Sequence, residues 1–228
     1  MLELLSAPHI QYSLLLTAKT CLFVLALFLA IGPGIGLLLA RKSGLAVRLL
    51  GTLVTLPLVF PPVALGYLLL TALGRTGPVG TFLAEYGFSL LFNDAALIIA
   101  GFVAGLPLVV RPLQTAFASH RLQELEEAAS VLGADRLTVF RRVTLPLIRP
   151  SLAVGLLMGT ARVSGEVGIT MMLGGNIAGK TNTLSLEIFN AVSRADFDEA
   201  TALTVLLSFF AALIFLTLEV LMKKSVKL

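Results

Sequence analysis

Leu49-Leu-Gly-Thr-Leu-Val-Thr-Leu-Pro57-Leu-Val-Phe-Pro61-Pro62-Val-Ala-Leu-Gly66-Tyr67-Leu-Leu-Leu-Thr-Ala-Leu-Gly74 carries no charged residue. Crossing about 30 Å of hydrocarbon takes about 20 apolar residues at 1.5 Å each, so this stretch is long enough to span a membrane. It has companions along the chain. Residues 13–40 hold a single charge, Lys19; residues 95–110 are uncharged, and Arg111 interrupts a run that continues to Ser119. Residues 147–173 are apolar apart from Arg149, Arg162 and Glu166, and residues 200–218 are clean. The reading is five membrane-spanning helices in an all-α polytopic membrane bundle, one domain over residues 10–223.

Composition agrees. Of 228 residues, 57% are hydrophobic and 13% charged, and the mean hydropathy is +0.96. A soluble domain carries about 25% charged residues, so a water-facing globule is excluded. One cysteine, Cys21, gives neither a disulfide framework nor a Cys-ligated zinc site, and His9 and His120 lie far apart. No metal site or catalytic residue is expected. A net charge of +4 could suggest nucleic acid, but in a membrane chain the placement of basic residues matters more than their sum. No nucleic-acid partner is expected; the lipid bilayer is.

With the C-terminus placed in the cytoplasm, the inner segments hold Arg41, Lys42, Arg48, Arg121, Arg136, Arg141, Arg142, Lys223, Lys224 and Lys227. The outer segments hold Arg75, Lys180 and Arg194 beside Glu3, Glu85, Asp196, Asp198 and Glu199. Basic residues favour the inner side, which sets the N-terminus outside and the C-terminus inside. The first run has no positively charged leader and exceeds the 7–15 residues of a signal-peptide core, so it reads as a retained span. Lys19 reads as a snorkelling side chain.

Two loops stand out. Residues 174–181, Gly-Gly-Asn-Ile-Ala-Gly-Lys-Thr, match the phosphate-loop pattern letter for letter. No strand precedes them, no sheet domain surrounds them and the charge rule places them outside, so they read as a slack glycine-rich connection. Downstream, Leu184, Ile188, Phe189 and Val192 mark one apolar face of a short helix.

The inner segment 118–144 is more patterned. Residues 121–132 are rich in Leu, Glu and Ala, good helix formers. Gly133 follows where a helix ends in a left-handed residue, and Asp135 can cap a second turn carrying Leu137, Phe140 and Val143. Pro146 falls at the start of the fourth span, where its missing N–H costs little. Glu127-Ala128-Ala129, Gly133 and Leu145-Pro146, with Val143 two residues before Leu145, resemble the EAA motif of permease subunits of binding-protein-dependent ABC importers.

That resemblance implies a cytoplasmic coupling-helix elbow between spans three and four, docked in a groove of a separate ATPase subunit. Ala128, Ala129 and Gly133 would allow close approach, and Glu127 would cap or ion-pair at the joint. ATP and magnesium would lie on the partner, leaving this chain without a cofactor. It also implies a homodimer with two ATPase subunits, and an external or periplasmic oxyanion-binding protein, in the inner membrane of a prokaryote. Residues 56–80 and 161–168 look like the molybdate branch, over about residues 10–223. Val167 and the glycine-rich tail after it leave tungstate importers open, and sulfate permeases share the architecture.

Pro57, Pro61 and Pro62 disturb backbone hydrogen bonds in span two, tolerable at membrane depth only against protein or a wet cavity. Either a kink against a neighbouring helix or a pore lining fits. Arg162 and Glu166 fit two readings as well: a mutual ion pair fastening the outer gate, or a path in which a dianion passes Arg162 while Glu166 limits its attraction. A membrane enzyme would need clustered acids or histidines at the interface, and a stand-alone secondary transporter predicts inverted repeats and charged residues at the midplane; the sequence shows none of these.

Overall fold

Residues 7–226 are described by a computed structural model, with backbone alone at 218–219 and 221–226. Glu3 and Lys227 of the charge count lie outside the described residues, as do the side chains of Lys223 and Lys224. The chain folds as α1 (Pro8–Arg41), α2 (Leu45–Val59), α3 (Pro62–Leu73), α4 (Pro78–Glu85), α5 (Asp94–Phe117) and α6 (His120–Val131). Then come α7 (Arg136–Val139), a π turn (Phe140–Thr144), α8 (Leu145–Ser164), α9 (Gly168–Gly174), α10 (Leu184–Ser193) and α11 (Phe197–Val226). The class is all-α, with no strand among the described residues.

Among the described residues, four helices are long and apolar enough to cross a membrane: α1, α5, the continuous rod Arg136–Ser164 and, over Phe197–Thr217, α11. The run 49–74 differs from the uninterrupted span that its composition suggests. It is two helices, α2 and α3, each below that length. The reason is local. A residue before proline is pushed out of the helical region, and Phe60 and Pro61 both precede a proline. Both are extended, with ψ of 141° and 131°. Pro57 stands inside α2 without ending it.

The fourth span also departs from expectation at both ends. Its rod begins at Arg136 rather than at Pro146. Proline inside a helix removes one hydrogen bond and crowds the preceding turn, and a π turn directly precedes it, with the Leu145 N–H bonded to the Phe140 carbonyl. At the other end the helix stops at Ser164 and restarts at Gly168.

α5 is the most buried of the four long helices and packs between α1 and α8. Lipid is as apolar as leucine, so helices in a membrane associate through close packing at small residues. A Cβ on Gly105 would come within 2.8 Å of the Gly159 carbonyl oxygen and 2.6 Å of the Phe28 ring. One on Gly36 would meet Leu113 Cβ at 2.9 Å. Phe28, fully buried, stacks on Phe102 with ring centroids 5.7 Å apart. Large apolar side chains such as Leu22, Leu53 and Phe209 stay exposed on the outside of the bundle.

The C-terminal ends of α1 and α5, the start of α2 and α6 to α8 share one end of the bundle: Arg41 Nε donates to the Phe117 carbonyl at 3.1 Å. This end holds Arg41, Lys42, Arg48, Arg121, Arg136, Arg141 and Arg142. At the opposite end, Lys19 pairs with Asp94 at 2.6 Å, so Lys19 is a tie between α1 and α5 rather than a snorkelling side chain. There the Leu184 N–H donates to Thr17 Oγ1 at 2.9 Å and Tyr12 to the Lys180 carbonyl at 3.1 Å, closing segment 174–184 over α1.

Candidate functional site

The elbow at the basic end has the expected bends. α6 ends at Val131, and Gly133 takes φ +86° with open space around its Cβ position. The requirement for glycine is therefore conformational. The Asp135 carboxylate accepts the Leu137 N–H at 3.2 Å and capped α7 follows. The Thr138 hydroxyl also bonds this carboxylate and holds its pKa below the ordinary aspartate value.

What fixes the elbow to the bundle is Glu126, which sequence reasoning passed over. Its carboxylate accepts Arg41 Nη2 at 2.7 Å with one oxygen and the Thr144 hydroxyl at 2.5 Å with the other. It thus joins α6 to the last turn of α1 and to the π turn. Leu122, 2% exposed, plugs the same joint among Phe117 and Ile148. Glu127, to which the resemblance gave a cap or ion pair, is exposed beside Ala128, and Ala129 is half-buried. Within the chain, the joint belongs to Glu126. Val131 and Leu132 are each 87% exposed, so the outer side of the elbow presents a carboxylate, small residues and two aliphatic side chains. Leu145 is half-buried and Pro146 exposed, on the rod beyond the π turn.

The second candidate region lies where the two interrupted spans meet. Pro61 and Pro62, both exposed, cap and open α3. α9 packs across the start of α3: a Cβ on Gly168 would lie 2.8 Å from Pro62 Cβ, and one on Gly66 would lie 3.1 Å from Ile169 Cα. Arg162 Nη1 pairs with Glu166 Oε2 at 2.5 Å. The two are not on one continuous helix face, because the helix ends between them. Glu166, 1% exposed, uses its other oxygen to accept the Ile169 N–H at 2.7 Å. It therefore neutralises Arg162 and caps α9 at once.

The phosphate-loop look-alike is not a slack connection. The Lys180 and Thr181 N–H groups both donate to the Ile177 carbonyl. The Thr181 hydroxyl is fully buried, donates to the Gly174 carbonyl at 2.7 Å and accepts the Ile177 N–H at 3.0 Å. A phosphate loop needs those N–H groups and that hydroxyl turned toward a ligand; here they hold a turn closed. α10 keeps half of the expected face: Leu184 is fully buried and Ile188 packs beside it, while Phe189 and Val192 are 42% and 50% exposed and Ser185, Leu186 and Glu187 are buried instead. Glu187 accepts the Ser13 hydroxyl at 3.2 Å.

Residues 32–227 match the family model described as a binding-protein-dependent transport system inner membrane component. The chain belongs to that family. It is 41% identical over 214 residues to the molybdenum transport system permease protein ModB of Mycobacterium tuberculosis, covering 93% of this chain and 80% of the relative. To ModB of Escherichia coli K12 it is 33% identical over 217 residues, covering 95% and 94%. A sulfate transport system permease protein, CysW of Escherichia coli K12, is 34% identical over 82% of this chain and 64% of its own length. In fold it resembles a chain of a bacterial alginate ABC transporter solved with an alginate-bound periplasmic protein. The TM-score is 0.74 at 20% identity, over 99% of this chain and 82% of that one. The long apolar helices are thus those of a multi-pass inner-membrane permease.

Proposed function

We propose that residues 10–223 form one transmembrane domain of an ATP-driven importer that carries molybdate, with tungstate as a second cargo, across the inner membrane. The observation that carries the substrate is the 41% identity, over nearly the whole chain, to a relative named for molybdenum transport. The sulfate relative supports an oxyanion at coarser resolution.

In this reading two copies of the chain associate with two ATPase subunits, which hold the ATP and magnesium. The N-terminus lies outside, where an oxyanion-binding protein delivers its cargo, and the C-terminus inside. Glu127, Ala128, Ala129 and Gly133 dock the elbow against an ATPase subunit. Leu145 and Pro146 mark where its displacement enters the long rod. ATP-driven closure of the ATPase subunits draws the two elbows together and opens the path outward; ADP release reverses it. Pro61 and Pro62 lie on the path, and the Arg162–Glu166 pair fastens its gate. The chain performs no covalent chemistry.

The test is ATP hydrolysis by the reconstituted complex with binding protein loaded with molybdate, tungstate or sulfate. Stimulation by molybdate above sulfate is expected; equal stimulation by sulfate would move the substrate to the broader oxyanion class.

A further inference from the structure

A cavity of about 710 Å³ lies between the end of α1, the length of α2 and the last turns of α5. Its lining carries Lys42, Arg48 and Arg111, with Thr52, Thr55 and Gln114 between them, and no carboxylate. It extends from Lys42 and Arg48 at the basic end to Val59 and Phe60, the residue at which span two breaks before Pro61.

Arg111 is the unusual member. It lies inside the apolar run 95–119, about 9 Å of helical rise before Phe117. A cation at such depth is costly unless paired or facing a wet path. Lys19 and Arg162 each have a carboxylate, Asp94 and Glu166. The Arg111 guanidinium is held by neutral groups: the Gln114 side chain at 2.9 Å, the Thr55 hydroxyl and the Gly51 carbonyl at 3.4 Å. These fix its position without cancelling its charge. An arginine presents forked donors suited to tetrahedral oxyanions.

We infer that this cavity is the inner exit basin of the translocation path, in which Arg111 makes a transient contact with a dianionic oxyanion and Lys42 and Arg48 draw it toward the cytoplasm. The inference rests on the importer reading above. Three separated cations favour passage, because an ion in transit must be attracted enough to enter and held loosely enough to leave. An anionic lipid headgroup shares this chemistry. Continuity of the cavity with the break at Phe60 favours the transported ion.

The experiment uses the full complex with its ATPase and binding protein, in liposomes of phosphatidylcholine alone or with added phosphatidylglycerol. Molybdate uptake per ATP hydrolysed is measured. Arg111→Gln removes one charge-assisted hydrogen bond to the passing anion, so it should lower that ratio about tenfold, equally in both lipids and with stimulated ATP hydrolysis retained. Arg111→Lys should recover part of it. Lys42→Gln and Arg48→Gln should each give a smaller loss. Uptake by Arg111→Gln equal to wild type overturns the inference. So does a loss seen only with phosphatidylglycerol, which assigns the basin to lipid, or a parallel loss of ATP hydrolysis, which marks a structural role. A wild-type complex that imports no oxyanion overturns the importer reading and the basin together; a working wild type with an unaffected Arg111→Gln overturns the basin alone.

Discussion

Arg162 and Arg111 are two arginines in apolar runs with opposite surroundings. Arg162, partly exposed, pairs with the buried Glu166, and that carboxylate also caps α9, so one side chain serves both charge and backbone. Arg111 sits at a cavity wall among neutral partners, with Lys42 and Arg48 further along and no acid in the lining. The contrast separates a charge used for fastening from a charge left available. Breaking a buried pair by removing one partner strands the other, whereas losing an exposed cation with neutral partners strands little.

The comparison can be broken in several ways. Glu166→Gln keeps an oxygen for the Ile169 N–H but abandons Arg162. It should cost about 3 kcal/mol, read as a fall in Tm of the purified protein, and Arg162→Met in the same chain should recover much of the loss. Arg111→Gln should shift Tm far less; an equal shift would erase the distinction. At the elbow, Glu126→Gln keeps one acceptor for Thr144 and loses the charge facing Arg41. It should cost about 1 kcal/mol, visible as faster hydrogen exchange across α6. Glu127→Ala should leave that exchange unchanged, because Glu127 is exposed and Glu126 makes the joint. Asp135→Ala should speed exchange of the Leu137 amide alone. Since the Asp135 carboxyl has a lowered pKa in the fold, its capping contribution is present at neutral pH and is lost as pH falls through that lowered value.

Much of this was legible in the sequence, because apolar run length and turn chemistry are local. Gly133 and Asp135 behave as their residue types dictate. The prolines at 57, 61 and 62 marked disturbed backbone hydrogen bonds within one span, and the structure turns that into an interruption. Its position followed from two successive residues that each precede a proline, a pattern that leaves Pro57 inside its helix. Three features were not legible. Adjacent glutamates on a helix point about 100° apart, so whether Glu126 or Glu127 reaches Arg41 depends on how α6 docks. On α10 the apolar face was legible at Leu184 and Ile188 but not beyond them: Phe189 and Val192 stay exposed because apolar side chains in a membrane gain little by turning inward, while Ser185 and Glu187 gain partners there. The Arg111 basin is assembled from α1, α2 and α5, which no sequence spacing brings together.

The central claim is that the elbow is driven by a separate ATPase subunit through its exposed side. The most direct measurement is molybdate uptake by proteoliposomes of the full complex carrying Glu127→Ala, beside wild type. The account predicts a correctly inserted protein whose uptake collapses. Uptake at the wild-type rate would contradict it.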